Sequence, residues 1–138
     1  MTKEEKSLLI KDLCARLPYR INILTEDNDK GHIIGVDDTE NGVFVIHIIE
    51  DGDSYTCDES IENFKPYLRP MSSMTEEEHG KYMDFIEWSH NDYDGTTTTC
   101  IDKGRLYEYL NFIYSHHLDD NNFIGKGLAL EAPDGMYK

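Results

Sequence analysis

Residues 65–78, KPYLRPMSSMTEEE, constrain the fold of this chain more than any other stretch. Pro66 and Pro70 bracket an apolar and basic core, and a proline interrupts both helices and the interior of a sheet. Thr75, followed three residues later by Glu78, is a capping box, which is typical of the first turn of a helix. The stretch therefore predicts a junction at which short strands end and helices begin.

The junction, residues 65–78, is predicted to be a seam within one domain. Its apolar side chains Tyr67, Leu68 and Met71 are expected to be at least partly buried between a sheet and the helices. Arg69 is the candidate interaction residue of the junction. The alternative is that Arg69 has a structural role and pairs with one of the many carboxylates of the chain.

An amphipathic helix is predicted over residues 3–16. Thr2 and Glu5 form a capping box at its start, and Pro18 ends it, because the residue before a proline is pushed out of the helical region. Cys14 is expected to be a small buried hydrophobe on the apolar face of this helix. The other residues of that face are Leu9, Ile10, Leu13 and Leu17, and those left for solvent are Lys3, Lys6, Lys11 and Asp12.

From about residue 19 to about residue 70 the hydrophobic pattern changes from a helical period to that of strands. Four or five short segments are separated by turns, among them 37–42 and 50–54, and the segment richest in β-branched residues is 43–49. Residues 61–68 are expected to pair with an early strand. The pattern predicts a small antiparallel meander or an SH3-like, partly closed barrel.

A helical region is predicted over residues 75–118. Its first helix is expected to run from Thr75 to about His90, with its aromatic residues, including Trp88, in the core. Its second helix is expected to begin near Asp102. The amphipathic pattern of that second helix consists of Leu106, Tyr107, Leu110, Ile113, Tyr114 and His117.

The remaining segments are a threonine run and a tail. Residues 96–99, all threonine, are predicted to form a polar loop or a short extended piece. The irregular tail, residues 119–138, is apolar enough to pack back on the body of the protein. Together these segments predict an α+β fold in a single domain, residues 1–138, which is a usual size for one domain.

Charge and cysteine content exclude several classes of protein. Thirteen basic residues against 28 acidic ones give a net charge of −15, and such a field repels nucleic-acid phosphates and anionic membrane surfaces. Three widely spaced cysteines without a CxxC pair indicate neither a disulfide framework nor a zinc knuckle. No apolar run approaches the length of a membrane span, and the expected location is the cytoplasm.

His116, His117, Asp119 and Asp120 form the densest metal-capable cluster in the sequence. Adjacent histidines on a helix point about 100° apart, so both cannot easily bind one ion from a regular helix. The alternative interpretation is a helix end at which histidines interact favourably with the helix dipole. The sequence contains no GxSxG, HExxH or Walker motif, and no cofactor is expected.

Three segments carry a resemblance to a known group of proteins: LIKDLCARLPY (9–19), KPYLRPMSSMTEEE (65–78) and KGLALEAP (126–133). In these segments the chain resembles a group of small uncharacterised proteins carried by gut anaerobic bacteria, their phages and their mobile elements. The resemblance implies a compact accessory protein encoded near phage or mobile-element genes. It implies no catalytic residue.

Three classes of function are compatible with these observations. The leading hypothesis is a non-enzymatic protein–protein interaction module with a protein partner, and a sharper version is an inhibitor of a host defence nuclease that mimics nucleic acid with its carboxylates. The second class is a small metal-dependent enzyme that uses His116 or His117 with Asp119 or Asp120. The third is a structural accessory factor that acts by self-association.

Overall fold

The computed structural model describes residues 1–39, 42–49 and 55–137, and the side chains within these ranges except those of 38, 39, 42–49, 55–58 and 103. The predicted turns 37–42 and 50–54 therefore lie partly or wholly outside the described residues. The helices are α1 (Lys3–Arg16), α2 (Glu76–Asp84) and α3 (Leu106–Ser115). The strands are β1 (Asn22–Thr25), β2 (Lys30–Thr39), β3 (Gly42–Ile49), β4 (Tyr55–Ser60), β5 (Phe64–Leu68), β6 (Ile86–His90), β7 (Thr97–Ile101) and β8 (Leu130–Glu131).

The main sheet has the strand order β4-β3-β2-β1-β5-β8, and β6 and β7 form a separate two-stranded sheet. β1 to β4 are the predicted antiparallel meander, and β5 returns to pair with β1, as expected for residues 61–68. β8 pairs with β5 in parallel. In the described part of the chain no pairing joins β4 to β8, so the sheet is open and a closed barrel is not found.

Two apolar clusters hold these elements together. In the first, Leu9 and Leu13 of α1 cover the sheet, and Phe123 of the tail is fully buried beside them. The second cluster lies in the helical half and is formed by Phe85, Tyr109, Phe112, Ile113 and Leu118. The tail thus packs back on the body, as predicted, and the α+β class is confirmed.

The junction lies between the two clusters. Leu68 is fully buried in the first cluster, Met71 packs against the second, and Tyr67 is half-buried. The predicted burial of all three side chains is confirmed. The capping boxes predicted at Thr2 and Thr75 are also present, each with both of its hydrogen bonds.

Two predictions about α1 are wrong. Cys14 is exposed, whereas Asp12 is buried. The face of α1 turned to the core consists of Leu9, Asp12, Leu13 and Arg16. Cys14 follows Leu13 and is rotated from it by about 100° around the helix axis, so it lies outside this face. Asp12 is buried although charged residues normally face solvent, because Arg16 pairs with it in the core.

The helix predicted to reach His90 is much shorter and ends at Asp84. Residues 86–90 instead form β6 and pair with β7, so that Trp88 lies opposite Thr99. Trp88 is 64 % exposed, which contradicts its predicted place in the core. Cross-strand pairing with three β-branched threonines overrides the weaker helical pattern after Asp84. Of the two options for the threonine run, the extended one is confirmed.

α3 begins later than predicted, at Leu106, after a short 3-10 turn at Lys103–Arg105. Leu106 and Tyr107 are exposed, although the helical pattern counted both as apolar-face residues. The buried face is narrower and begins at Tyr109. None of the helices in the described ranges has the length and apolar character required to span a bilayer.

Candidate functional site

A polar cleft of about 520 Å³ lies between the start of β1, the end of α3 and the C-terminal tail, and we call it the tail cleft. A second cleft of about 390 Å³ adjoins it, and the two share Arg69, Glu78 and Tyr137 as lining residues. The tail cleft contains three of the residues singled out in the sequence. It is lined by Arg20, Asn22, Arg69, His116, His117 and Tyr137.

The Tyr137 side chain is anchored between two strands. Its hydroxyl donates to the Tyr67 carbonyl at 2.7 Å and accepts from the Asn22 backbone N–H at 3.0 Å. β1 and β5 pair through Ile23 opposite Pro66, so the same register would place Asn22 opposite Tyr67. The phenol therefore bridges two backbone groups just beyond the point where the β1–β5 ladder ends. Burial raises the pKa of Tyr137 to about 12, which keeps the hydroxyl protonated and able to donate.

His117 forms the floor under this phenol. Its imidazole stacks on the Tyr137 ring with 3.7 Å between centroids and 12° between planes. Burial lowers the pKa of His117 to about 4, with Arg16 and Arg69 acting in the same direction, so the ring is neutral at pH 7. Its φ of 59° is left-handed, as is common just after a helix end: the His117 N–H bonds the Tyr114 carbonyl and the Leu118 N–H bonds the Ile113 carbonyl, which is a Schellman motif.

Two polar atoms beside Tyr137 are buried without a protein partner. They are Nδ1 of His117 and Oδ1 of Asn22, and both residues line the tail cleft. Arg20, on the same wall, also has a left-handed backbone, with φ 54°. Unpaired buried polar atoms are costly and are found at few places in a folded protein, so those at this cleft call for an explanation.

Arg69 has the structural role that was the alternative in the sequence. Its guanidinium forms a bidentate pair with Glu78, with Nη1–Oε2 at 2.9 Å and Nη2–Oε1 at 2.8 Å. The same nitrogens donate to the carbonyls of His116 and Ser73. The Arg69 hydrogen bond lowers the pKa of Glu78 to about 2. An interaction role of Arg69 stays a prediction, and it would require Glu78 to release the guanidinium.

His116 is also engaged by its own helix. Its Nδ1 lies 2.8 Å from the Phe112 carbonyl, which fixes this nitrogen as the protonated one, and its Nε2 is 3.8 Å from Oε2 of Glu78. The histidine thus caps a carbonyl at the end of α3, as the helix-end interpretation of the sequence expected.

Asp119 and Asp120 point away from the two histidines. The carboxylate of Asp119 is buried and accepts from the backbone N–H groups of Phe123 at 2.8 Å and Ile124 at 2.9 Å. The side chain of Asp120 is 21 % exposed, although its backbone is open to solvent, and it lies 3.9 Å from the Arg16 guanidinium. Burial raises the pKa of Asp120, while Arg16 opposes that shift. The structure therefore brings His116 and His117 to one cleft and uses Asp119 and Asp120 elsewhere.

A metal site is not formed by these residues. Within the described ranges, no three histidine, cysteine, aspartate or glutamate side chains are grouped as metal ligands. The His117 ring is stacked on Tyr137, and its Nδ1 is buried.

A second feature, which sequence reasoning missed, is a projecting hairpin formed by residues 86–101, which we call the arm. Ile86 and Ile101 at its base are half-buried, and Ile101 packs on the second apolar cluster. All residues from 87 to 100 are exposed, including Trp88, and Tyr93 at the tip is fully so. An isolated two-stranded hairpin is only marginally stable in water. The signal in the sequence was a tryptophan followed by a threonine run.

The arm has carboxylates at its tip and near its base and is uncharged along β7. Glu87, Asp92 and Asp94 are exposed on it, and Asp94 is bonded within the turn to Thr96. β7, in contrast, has the sequence TTTCI and carries no charged or proline residue, which are the usual protections of a free strand edge. The arm thus offers a tryptophan, an open edge and carboxylates in one element.

Comparison of the chain with protein-family models, curated proteins and solved structures finds no match. The arm and the two clefts are therefore the features from which a function is inferred.

Proposed function

We propose that the protein is a non-enzymatic interaction module that binds a protein partner with a basic surface through the arm. The observation that carries the proposal is the exposure of Trp88 in a hairpin whose residues 87–100 are all exposed. Soluble proteins normally bury tryptophan at least in part, and exposed tryptophans are the most enriched residues at the energetic centres of interfaces.

The arm has enough apolar area to anchor a partner. A tryptophan buries about 150–250 Å² when it is fully covered, and at about 25 cal/mol per Å² this corresponds to roughly 4–6 kcal/mol before the costs of association. Trp88 shares one hairpin face with Ile86 and His90, since alternate residues of a strand point the same way. A partner that covers this face extends the second apolar cluster outward from Ile86.

Charge selects the class of partner. The protein carries −15, and Glu87, Asp92 and Asp94 place carboxylates on the arm itself. An acidic partner or a nucleic acid would be repelled, whereas a basic protein surface would be drawn in and oriented. The uncharged edge of β7 is suited to pair with an extended segment of that partner, which is a common mode of peptide recognition.

The resemblance to accessory proteins of phages and mobile elements is compatible with such a role and stays a prediction. Nuclease inhibition by nucleic-acid mimicry, a metal-dependent enzyme and a self-associating structural factor also stay predictions. None of the described contacts favours them over the interaction module.

Two measurements at Trp88, a capture experiment and its fluorescence, test the proposal. Tagged full-length protein captures its partners from a cell lysate, and the retained proteins are quantified for the wild type, for Trp88→Ala and for Leu8→Ala. Leu8 is a matched control, because it is exposed and apolar but lies on α1. We expect Trp88→Ala to lose basic proteins that the wild type and Leu8→Ala both retain, and salt to weaken their retention.

Because Trp88 is the single tryptophan of the chain, its fluorescence reports directly on the arm. Adding a purified candidate partner should shift the emission to the blue as the indole leaves water. The proposal fails if Trp88→Ala and Leu8→Ala retain the same proteins in the same amounts. It also fails if a retained partner leaves the emission of Trp88 unchanged.

A further inference from the structure

We infer that the tail cleft contains a binding site for a tyrosine side chain of another polypeptide segment, and that Tyr137 occupies this site as an internal ligand. We call the site the phenol socket. It consists of the Asn22 N–H, the Tyr67 carbonyl and the imidazole of His117.

The socket recognises the hydroxyl group of a tyrosine as well as its ring. One of its backbone groups donates to the phenol oxygen and the other accepts the phenol proton, at 3.0 Å and 2.7 Å. A phenylalanine in the same place would leave the Asn22 N–H and the Tyr67 carbonyl buried and unpaired. Sites built to bond a hydroxyl reject the analogue that lacks it, so the socket is specific for tyrosine over phenylalanine.

Residues 132–137, which carry Tyr137, make few hydrogen bonds to the described body of the protein. β8 ends at Glu131, and the Ala132 N–H bonds the Leu68 carbonyl. After this point Pro133, Asp134 and Gly135 are exposed. In the described part of the chain, the hydrogen bonds from residues 133–137 to the body of the protein are those of the Tyr137 hydroxyl. Release of the Tyr137 side chain therefore breaks the hydrogen bonds that residues 133–137 make to the described body of the protein.

The two clefts give an incoming segment room on both sides of the socket. Tyr137, Arg69 and Glu78 line both of them, and the volumes are about 520 Å³ and 390 Å³. When Tyr137 withdraws, the clefts join into one continuous trough along the junction. A segment that inserts its own tyrosine then has space for the residues before and after it.

A second observation points to a ligand independently of Tyr137. His117 Nδ1 and Asn22 Oδ1 are buried on the same cleft without a partner, and the His117 side chain is more than nine-tenths buried. Tyr137 passes between these residues and satisfies neither atom. The Asn22 oxygen accepts a hydrogen bond and therefore suits a backbone N–H of an incoming segment. The internal ligand thus fills the socket incompletely.

The inference does not depend on the proposed function of the arm, because the socket shares no residue with it. The test uses two small ligands, N-acetyl-tyrosinamide and N-acetyl-phenylalaninamide, titrated into the full-length Tyr137→Ala variant and followed by NMR. We expect the tyrosine ligand to bind at least tenfold more tightly than the phenylalanine ligand. The shifts should map to Asn22, Tyr67 and His117.

Two comparisons test whether the tyrosine ligand binds in the phenol socket. The wild type should bind the tyrosine ligand at least tenfold more weakly than Tyr137→Ala, since the tethered phenol competes at a millimolar effective concentration. Adding His117→Asn to Tyr137→Ala should weaken binding about tenfold, because asparagine tolerates the left-handed backbone but cannot stack. Tyr107→Ala is the matched control for the loss of a tyrosine, since Tyr107 is exposed on α3, and it should bind as the wild type does.

If Tyr137→Ala does not fold, Tyr137→Phe replaces it, because the phenyl ring keeps the contact with His117 but makes neither hydrogen bond, and therefore competes less with the tyrosine ligand than the wild-type phenol does. Equal binding of the two ligands, or equal binding by the wild type and the Tyr137 variant, overturns the inference.

Discussion

Arg16 and Asp12, one helical turn apart on α1, form an ion pair that is shielded from water on all sides. Nε of Arg16 donates to Oδ2 at 2.6 Å and Nη2 to Oδ1 at 3.1 Å, and the two side chains are 0 % and 2 % exposed. Nη2 also donates to the Leu118 carbonyl at 2.7 Å, and the guanidinium lies over the Tyr114 ring. The pair therefore ties α1 to the end of α3.

Removing one member of this pair should be severe. Asp12→Ala leaves a buried guanidinium without its carboxylate, and we expect a loss of about 3–5 kcal/mol in the free energy of unfolding, measured by urea denaturation. Replacing both residues, as Asp12→Leu with Arg16→Met, should cost clearly less, because neither charge is then buried. A double variant less stable than Asp12→Ala would contradict this account of the pair.

The Arg69–Glu78 pair should also contribute to stability. Glu78→Gln removes a bidentate, charge-assisted contact and weakens the cap of α2, so we expect a loss of about 2 kcal/mol. Glu77→Gln is the matched control, since Glu77 is a solvent-exposed residue in the same turn, and it should change stability by less than about 0.5 kcal/mol. Equal effects of the two substitutions in thermal or urea unfolding would show that the Arg69 contact contributes little.

His117 predicts a specific dependence of stability on pH. Its pKa in the folded protein is about 4, below the value of about 6.5 in the unfolded chain, so the unfolded state binds the proton first as the pH falls. Stability should therefore decline between about pH 6.5 and about pH 4, by up to about 3 kcal/mol. The groups facing the ring are Arg16 of α1, Arg69 just after β5 and the neighbouring His116, and all disfavour its protonation.

The measurement is the difference in unfolding free energy between the wild type and His117→Asn across this pH range. The difference should shrink steadily below about pH 6.5. Glu78 titrates in a separate window, because its pKa is lowered from 4.5 to about 2 and its contribution is lost only as the pH falls through that range. A difference between wild type and His117→Asn that is constant with pH would contradict a neutral, buried imidazole.

Truncation of the exposed Trp88 of the arm should change the free energy of unfolding little, whereas truncation of a buried aromatic residue of the second cluster should lower it strongly. Trp88→Ala should change the free energy of unfolding by less than about 1 kcal/mol, since the indole is largely in water already. Phe112→Ala should cost about 3–5 kcal/mol, because Phe112 packs on Phe85 in the second cluster. A large loss from Trp88→Ala in urea unfolding would mean that the indole packs against the protein in solution.

The parts of the fold that could be predicted from the sequence are those fixed by neighbouring residues. The capping boxes at Thr2 and Thr75 need only residues three apart, and both were found. The strands before the junction follow from alternation and β-branched residues, and the burial of Leu68 follows from its apolar side chain between two prolines. Local rules decide these features, and tertiary packing agrees with them.

The errors come from contacts between distant residues. The sequence predicts Asp12 in solvent because nothing in its neighbourhood shows that Arg16 will be held in the core by the Leu118 carbonyl and the Tyr114 ring. It predicts a helix over β6 because the pairing of these residues with β7 is not visible in the helical pattern. The open sheet could not be told from a barrel, since closure depends on how far the strands turn relative to each other.

The candidate site was predicted only in part for the same reason. His116, His117 and Arg69 were singled out as reactive residue types and do meet at the tail cleft. The phenol socket joins Asn22, Tyr67 and Tyr137, which are separated by up to 115 residues in the chain. No local pattern marks an ordinary tyrosine as the ligand of two backbone groups.

The parallel pairing of β8 with β5 has a consequence for biosynthesis. β5 lies beside β1, which precedes it in the chain, and beside β8, which is made only after α3. The Leu118 carbonyl that accepts from Arg16 is also made after α3. A nascent chain translated as far as α2 therefore has neither the strand that covers the edge of β5 nor the carbonyl that bonds Arg16. We expect this part of the fold to form only once residues 118–131 have been made, and a chain stalled before them to bind chaperones.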